Sequence, residues 1–386
     1  MSVNIPALAV SALVERLRLS GFSDPRAWQL FTDSDLDQLA PQVMSDALTY
    51  GTGYVLVWQK SGKPVATVES PRECAVLRDP ADRSVIAGVK RYSTKDSTEA
   101  YLYLPDEIQH HRAPQTGAAV SGFVLMESIP NPLGYVPLVP IDNGHSEIAD
   151  LVPLVDLLNK TLLDMASAGE AAGKPRRWIS GLELVEKPRL DEDGNPFLEG
   201  GEPVIDVVSP IDDVNTIQTM ISESADTKFG QLPGTDLSGF EAGVRIIVSQ
   251  IMAVSALPSH YLGILTSQPS SADALRASEA SLTARAESRQ LTFGRAFEAV
   301  GRLLIAISTG LDPESIPLRV QWADAATRSV AQEADAVVKL HQAGLLPASY
   351  ALAKLGYSDD EITAIRAAKR AEVLDNQGLG LTIESE

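Results

Sequence analysis

One segment, Gly169-Glu-Ala-Ala-Gly-Lys-Pro175, contains the residue types of a phosphate-binding loop. That loop needs GxxxxGK followed by Ser or Thr, because backbone N–H groups cradle the phosphates and the hydroxyl holds Mg²⁺. Here Gly169 and Gly173 are one residue too close, and Pro175 occupies the hydroxyl position. The segment therefore predicts the end of a helix and not a nucleotide site.

A second segment places oxygen ligands at the spacing of a calcium-binding loop. Asp191, Asp193, Asn195 and Glu202 match ligand positions of such a loop, but its sixth position is Pro196. That position needs glycine for a sharp turn, and two helices should flank the loop. The residues here predict an acidic hairpin tip.

The histidines and the single cysteine give no catalytic pattern. His110 and His111 are adjacent in a predicted strand, so their side chains point to opposite faces. Cys74 lies in an apolar strand, where a packing role is favoured over a nucleophilic one. We predict no catalytic residue, no metal site and no cofactor, and hence a protein that is not an enzyme.

Composition excludes several classes of partner. The 386 residues contain 32 Lys plus Arg against 51 Asp plus Glu, a formal charge of -19. A protein that wraps nucleic acid or binds an anionic membrane presents a basic surface, so both are excluded. No apolar run of about 18 residues occurs, and the start of the chain has no basic targeting region, which predicts a soluble protein made inside the cell.

The periodicity of apolar residues divides the chain into blocks. Residues 1–50 read as helical, with interruptions at Pro25 and Pro41. From Gly51 the period changes to two, and short strands separated by turn residues predict an antiparallel sheet up to about residue 127. Helix returns after Ser146 and ends near Gly169.

Residues 182–241 form an acidic insert. Fourteen acidic residues stand there against Lys187, Arg189 and Lys228, so more than half of the net charge lies in a sixth of the chain. Its Gly and Pro residues predict short hairpins. Ser238 and Glu241 have the spacing of a capping box that opens the next helix.

A polar loop and a long helix follow. Residues 262–271 carry no charge, and the next apolar pattern runs to about Ser308, a helix on the order of 50 Å long. Its arginines alternate with glutamates, which predicts a solvated or inter-subunit face with i,i+3 and i,i+4 pairs. Three shorter helices end with a frayed tail from Gln377.

The order of these blocks resembles the portal proteins of tailed bacteriophages, of the long-tailed (siphophage) type found in phages and prophages of actinobacteria. Several stretches are similar to recurring segments of that family: Leu13-Val-Glu-Arg-Leu-Arg-Leu-Ser-Gly-Phe22, Asp46 to Trp58, Ser146-Glu-Ile with Leu154 to Thr161, Ala256 to Gly263 with Pro269 to Arg276, Val320-Gln-Trp322, Gly344-Leu-Leu-Pro and Leu355 to Ile362. The resemblance covers nearly the whole chain.

The resemblance implies an α+β portal-protein fold and a ring, dodecameric in the virion, at one capsid vertex. Double-stranded DNA would pass through its channel during packaging and ejection. The implied divisions are a wing at 1–145 of mixed helix and antiparallel sheet, stem helices at 146–180 and 237–261, an α/β clip hairpin insert at 181–236, a tunnel loop at 262–271, the long wing helix with its return at 272–325, and a helical crown at 326–386.

The resemblance also implies site residues and partners. The DNA-facing tunnel loop would comprise Leu265, Thr266, Ser267, Gln268, Pro269, Ser270 and Ser271, and a basic cluster at the stem–clip junction Lys174, Arg176 and Arg177. The acidic docking surface of the clip would be Asp191, Glu192, Asp193, Glu199 and Glu202, and the inter-subunit helix would present Arg276, Arg285, Arg289 and Arg295. Partners would be further copies of the chain, the terminase large subunit, the head–tail adaptor, and the major capsid and scaffolding proteins, with no membrane.

Some alternatives stay open at this level. The basic cluster could serve as ring contacts, as sparse phosphate guides or as ordinary ion pairs between subunits, and the tunnel loop as a plain helix connection. Family members usually carry an arm and more wing residues before the segment that matches Leu13 to Phe22, which Met1 nearly abuts here; a shortened prophage copy, a mis-called start and a minimal form would each explain this. Another structural ring or adaptor of the virion, and a soluble α+β enzyme, are the alternative functions.

Overall fold

The computed structural model describes residues 3–173, 177–180, 185–191, 194–208, 226–231, 237–263, 272–326, 330–357 and 359–379. Helices and antiparallel sheets are both extensive, which confirms the α+β prediction. The main core gathers the N-terminal helices, one three-stranded sheet and the long helix, with Phe31, Phe293 and Phe297 fully buried at its centre.

The N-terminal block differs in two ways from its helical prediction: it contains a strand, and Pro41 does not interrupt a helix. It contains α1 (Ile5–Val14), β1 (Leu19–Phe22), α2 (Pro25–Thr32) and α3 (Leu36–Tyr50). Pro25 begins α2, since a helix start needs no N–H there and Asp24 caps it. Pro41 lies inside α3 and does not interrupt it. The single lost hydrogen bond is offset by burial of neighbouring α3 side chains in the core.

A three-stranded antiparallel sheet lies in the main core. Its strands are β2 (Thr52–Lys60), β3 (Lys63–Glu69) and β9 (Leu138–Asp142), with β2 between the other two. Ser61 and Gly62 both have positive φ, as a two-residue type I′ hairpin turn requires. Helix α3 packs on β2 at Gly53, where the lack of a side chain permits close approach.

A five-stranded antiparallel sheet confirms the strands predicted from Cys74 to about residue 127, and its last strand continues to Pro130. Its strands follow in sequence order: β4 (Cys74–Arg78), β5 (Val85–Ser93), β6 (Thr98–Tyr103), β7 (Glu107–Ala113) and β8 (Val124–Pro130). His110 stacks on Tyr101 on one face, while His111 contacts Gln109 on the other, as predicted. Cys74 is buried, and burial raises the pKa of its thiol to about 12.

Glu99 is a buried carboxylate in this sheet with several donors. Ser97 Oγ donates to it at 2.7 Å, His110 Nε2 lies 2.7 Å away and Arg112 Nε 2.8 Å away. The Ser97 hydrogen bond, then those of His110 and Arg112, outweigh desolvation and lower the pKa of Glu99 to about 2. The ionised form is therefore favoured by folding.

We expect this carboxylate to make stability fall in acid. The folded pKa is below the ordinary value of 4.5, so its contribution is full above that value and is lost as pH falls toward about 2. Glu99→Gln should therefore show a shallower decline in Tm between about pH 5 and pH 2 than the wild type. The control Glu314→Gln, at an exposed carboxylate, should keep the wild-type decline. Equal slopes for Glu99→Gln and wild type would contradict the prediction.

The acidic insert forms hairpins between two helices, as predicted for the residues described. The chain leaves along α4 (Val152–Gly173) and returns along α5 (Ser238–Ser255). Between them, antiparallel pairs join β10 (Arg177–Ser180) to β15 (Lys228–Gln231), β11 (Val185–Pro188) to β14 (Ile205–Val208), and β12 (Leu198–Glu199) to β13 (Glu202–Pro203). The predicted capping box is wrong: α5 begins at Ser238 with Leu237 at the N-cap, and Glu241 pairs with Arg245 at 2.8 Å.

The long helix α6 (Ala272–Thr309) confirms its predicted extent. Strand β16 (Val320–Trp322) then pairs with β1. On α6, the ring of Phe297 meets Phe31 of α2 and Trp322 of β16 edge to face. Helices α7 (Val330–Gln342), α8 (Ala348–Lys354) and α9 (Asp359–Leu379) follow. Gly344 and Gly356 have positive φ after α7 and α8, and α9 continues beyond the predicted fraying point at Gln377.

Candidate functional site around residues 262–271

The helices α4 and α5 form a pair that projects the hairpin insert away from the core. Val155 and Leu158 of α4 are buried, as are Ile247 and Ile251 of α5. After α5, a short 3-10 turn at Ser259–Leu262 leads to Gly263, which has positive φ, and α6 begins at Ala272. The connection that follows the pair is thus bounded by two ordered elements.

Glu279 joins the two sides of this connection. Its Oε1 lies 3.3 Å from His260 Nε2 in the 3-10 turn, and its Oε2 lies 3.0 Å from Arg16 Nη2. The Arg16 side chain is 8% exposed and its Nη1 donates to the Ala325 carbonyl at 3.0 Å. Gln290 donates to the carbonyls of Arg16 and Ala323. These contacts tie the turn after α1, the 3-10 turn, α6 and the segment 323–325 after β16 together.

Glu147 forms a second junction, at the start of the helical pair. Arg289 donates to it from Nη2 at 2.5 Å and from Nε at 3.1 Å, and Arg285 Nη1 lies 3.5 Å away. Burial acts to raise the pKa of Glu147, but hydrogen bonds from Arg289 and Asn143 and the two guanidinium charges outweigh it and leave the pKa lowered. Arg285 also donates to the Val254 carbonyl near the end of α5.

Together the two junctions fix both boundaries of residues 264–271. Glu147 holds the entry to α4 and the end of α5 on α6, and Glu279 holds the 3-10 turn on α6. Buried, charge-assisted hydrogen bonds restrict motion of the groups they join. This geometry can position a loop.

The predicted arginines of α6 have several different environments. Arg285 and Arg289 contact Glu147 of the same chain, and the Arg289 side chain is 17% exposed. Their assignment to a subunit-facing surface overlooked this intrachain partner, which lies far away in sequence. Arg295 is 74% exposed and is 3.9 Å from Glu298, the predicted i,i+3 type of pair. A subunit contact at Arg276, Arg285, Arg289 and Arg295 stays a prediction.

Parts of the other predicted surfaces lie outside the described residues: Lys174, Arg176, Glu192, Asp193, Leu265, Thr266, Ser267, Gln268, Pro269, Ser270 and Ser271. Arg177 begins β10, and its backbone pairs with Gln231. These assignments stay predictions.

The acidic hairpin is described at Asp191, Glu199 and Glu202. Asp191 accepts from the Asn195 N–H in a turn. Glu199 and Glu202 are exposed and directly opposite each other on β12 and β13. Like charges in that position repel each other and destabilise the hairpin, so a basic partner surface would reduce this repulsion. Among the described residues, no group of three or more His, Cys, Asp or Glu could hold a metal ion.

Comparison with known proteins identifies the family. The family model described as phage portal protein, SPP1 Gp6-like, matches residues 22–374. The chain belongs to this portal family. It is 29% identical over 413 aligned positions to the portal protein of Mycobacterium phage L5, and 29% identical over 412 to that of Mycobacterium phage D29. Each alignment spans 98% of this chain and 80% of the relative.

A solved structure shows the same fold. A chain in the structure titled "Virion of native gene transfer agent (GTA) particle" matches with a TM-score of 0.50 and 15% identity, over 92% of this chain and 90% of that chain. The expected family and fold class are confirmed. No helix within the described ranges combines the length and apolar character that a membrane crossing requires.

The sequence prediction missed the residues that hold the elements on both sides of residues 264–271. Arg16, Glu147 and Glu279 have no spacing that reveals their contacts, since Arg16 and Glu279 are 263 positions apart and Arg289 and Glu147 are 142 apart. Arg16 and Glu147 do lie within segments that carried the resemblance to portal proteins. That was the only signal available for them.

Proposed function

We propose that twelve copies of this portal chain form a ring at one capsid vertex, and that double-stranded DNA passes through its channel during packaging and ejection. The observation that carries this is the continuous match to the portal family across residues 22–374. The described architecture supports it: a helical pair bears a hairpin insert, and the connection after that pair is held on a long helix.

The divisions of the ring subunit follow from this proposal. The wing comprises 1–145 with 272–325, the stem 146–180 and 237–261, the clip 181–236, the tunnel loop 262–271 and the crown 326–386. The loop contains only uncharged residues and faces DNA. A conduit needs few phosphate contacts because each one adds salt-dependent grip, so an uncharged loop lets DNA slide.

The clip is the docking surface for the terminase large subunit and later for the head–tail adaptor. Its exposed Glu199 and Glu202 repel each other across one hairpin, and a basic partner surface removes that repulsion. Major capsid and scaffolding proteins contact the wing. The protein acts in the virion, after synthesis in the cytoplasm of a bacterial host.

Electron microscopy and native mass spectrometry of the purified protein test the ring. We expect closed rings whose mass is a multiple of 41.3 kDa, with twelve copies in assembled particles. A monomer that persists at every protein and salt concentration would overturn the proposal.

Substitutions in the loop test the DNA-facing role separately. Gln268→Arg and Ser270→Arg should reduce packaged DNA several-fold while rings still form, because arginines in the channel would bind phosphates and slow sliding. The readout is nuclease-protected DNA per particle. Gln342→Arg, at an exposed position of α7, is the matched control and should package normally. Normal packaging by the loop variants would show that these residues do not face DNA.

A further inference from the structure

Strand β8 is an edge strand with apolar side chains exposed on both of its faces. Among the strands in the described ranges it pairs with β7 alone, at the end of the five-stranded sheet. Val124, Leu125 and Met126 are 62%, 50% and 53% exposed, and every position of the strand is exposed. Natural sheets rarely leave a long apolar edge uncovered, since such an edge pairs with other chains. The strand therefore offers a surface on which another chain could pack.

An apolar groove lies beside the strands at the other end of the same sheet. Residues of β4, β5, β9 and α6 enclose an open space of about 570 Å³. Its apolar lining includes Val85, Val136, Leu138 and Leu303. The sheet order β4-β5-β6-β7-β8 places the groove and the exposed strand on different sides of one subunit.

The charges of the two surfaces are complementary. The groove carries three arginines; Arg78 is paired with Asp142, and Arg295 lies 3.9 Å from Glu298. Arg302 is half-buried, and no ion-pair partner for it occurs within the part of the chain that the structure describes. Strand β8 carries Glu127, which is exposed, and no basic residue.

We infer that β8 of one copy occupies the groove between the sheet and α6 of the next copy. Each copy supplies one strand and one groove, so the contact leaves neither surface unmatched in a closed ring. Two different surfaces on one subunit make a head-to-tail contact, and such contacts generate rings when the rotation closes. The inference rests on the proposed ring and specifies which wing surfaces meet in it.

Site-directed crosslinking of assembled rings tests this contact. The variant Met126→Cys/Ala299→Cys places one thiol on β8 and one on the α6 wall of the groove, and Met126→Cys/Ser84→Cys places the second thiol on the groove rim. A flexible bismaleimide should convert either variant into a ladder of covalent oligomers. Each single variant should give at most dimers, and the buried Cys74 thiol, with its raised pKa, contributes little background.

Two controls separate the outcomes. Met126→Cys/Gln342→Cys, with its second thiol on exposed α7, should give no ladder. In rings, Met126→Cys alone should react with a monofunctional maleimide at least several-fold more slowly than in dissociated protein. Rings visible by electron microscopy with no ladder from either test variant, or with Met126→Cys still fully reactive, would overturn the inference and leave the ring intact. An absence of rings in the wild type would instead overturn the proposed function.

Discussion

Replacing Gly53 by alanine should lower the free energy of unfolding by about 3 kcal/mol, because the added Cβ clashes in a packed core. A Cβ at this position would lie 2.4 Å from the Val43 carbonyl oxygen and 2.8 Å from Val43 Cγ2. The carbonyl belongs to the backbone of α3 and cannot rotate away as a side chain could. The helix must move off β2, which separates two central elements of the main core.

Urea unfolding at a fixed protein concentration measures this effect. Gly243→Ala, inside α5, is the matched control because nothing lies within 4 Å of its Cβ. Alanine is favoured over glycine in a helix by roughly 0.5–1 kcal/mol, so the control should be as stable as the wild type or more stable. A Gly53→Ala midpoint equal to that of the wild type would show that α3 does not pack on β2 this closely.

Glu279→Ala should lower the free energy of unfolding by about 3 kcal/mol, which is within the range for removal of one partner from a buried ion pair. The Arg16 side chain is 8% exposed and that of Glu279 is 14% exposed. Without the carboxylate, the guanidinium stays largely buried and loses the opposite charge 3.0 Å away. The contact to His260 is lost as well, so the 3-10 turn before residues 264–271 loses a link to α6.

A double-mutant cycle separates the Arg16–Glu279 interaction energy from other losses of stability that each substitution causes. Arg16→Met combined with Glu279→Ala should cost less than the sum of the two single substitutions, because the double variant has no buried charge that has lost its Arg16–Glu279 pairing. Glu241→Ala is the control: its pair with Arg245 is 74% and 73% exposed, and such surface pairs contribute about 0–1 kcal/mol. Additive single costs, or a Glu279→Ala loss no larger than that of Glu241→Ala, would contradict the assignment.

The amino-acid sequence determined the parts of this fold that depend on neighbours along the chain. Alternating apolar residues after Gly51 predicted the antiparallel strands, and apolar residues at helical spacing predicted α4, α5 and the extent of α6. Gly and Pro in the acidic insert predicted hairpins there. The order of these elements and their short recurring segments was sufficient to predict the portal family. Local periodicity gives this information because it records which face of each element is buried.

The tertiary structure alone decided which charges meet. A sequence pattern detects pairs at i,i+3 and i,i+4, so the arginines of α6 suggested an exposed or subunit-facing helix. Within the chain, two of them, Arg285 and Arg289, contact Glu147, and Glu279 contacts Arg16 in the turn after the first helix. Packing of distant elements sets these partners, and the electrostatic energy depends on distance and burial and not on separation in sequence. The same reason hid the close approach at Gly53 and the groove beside α6.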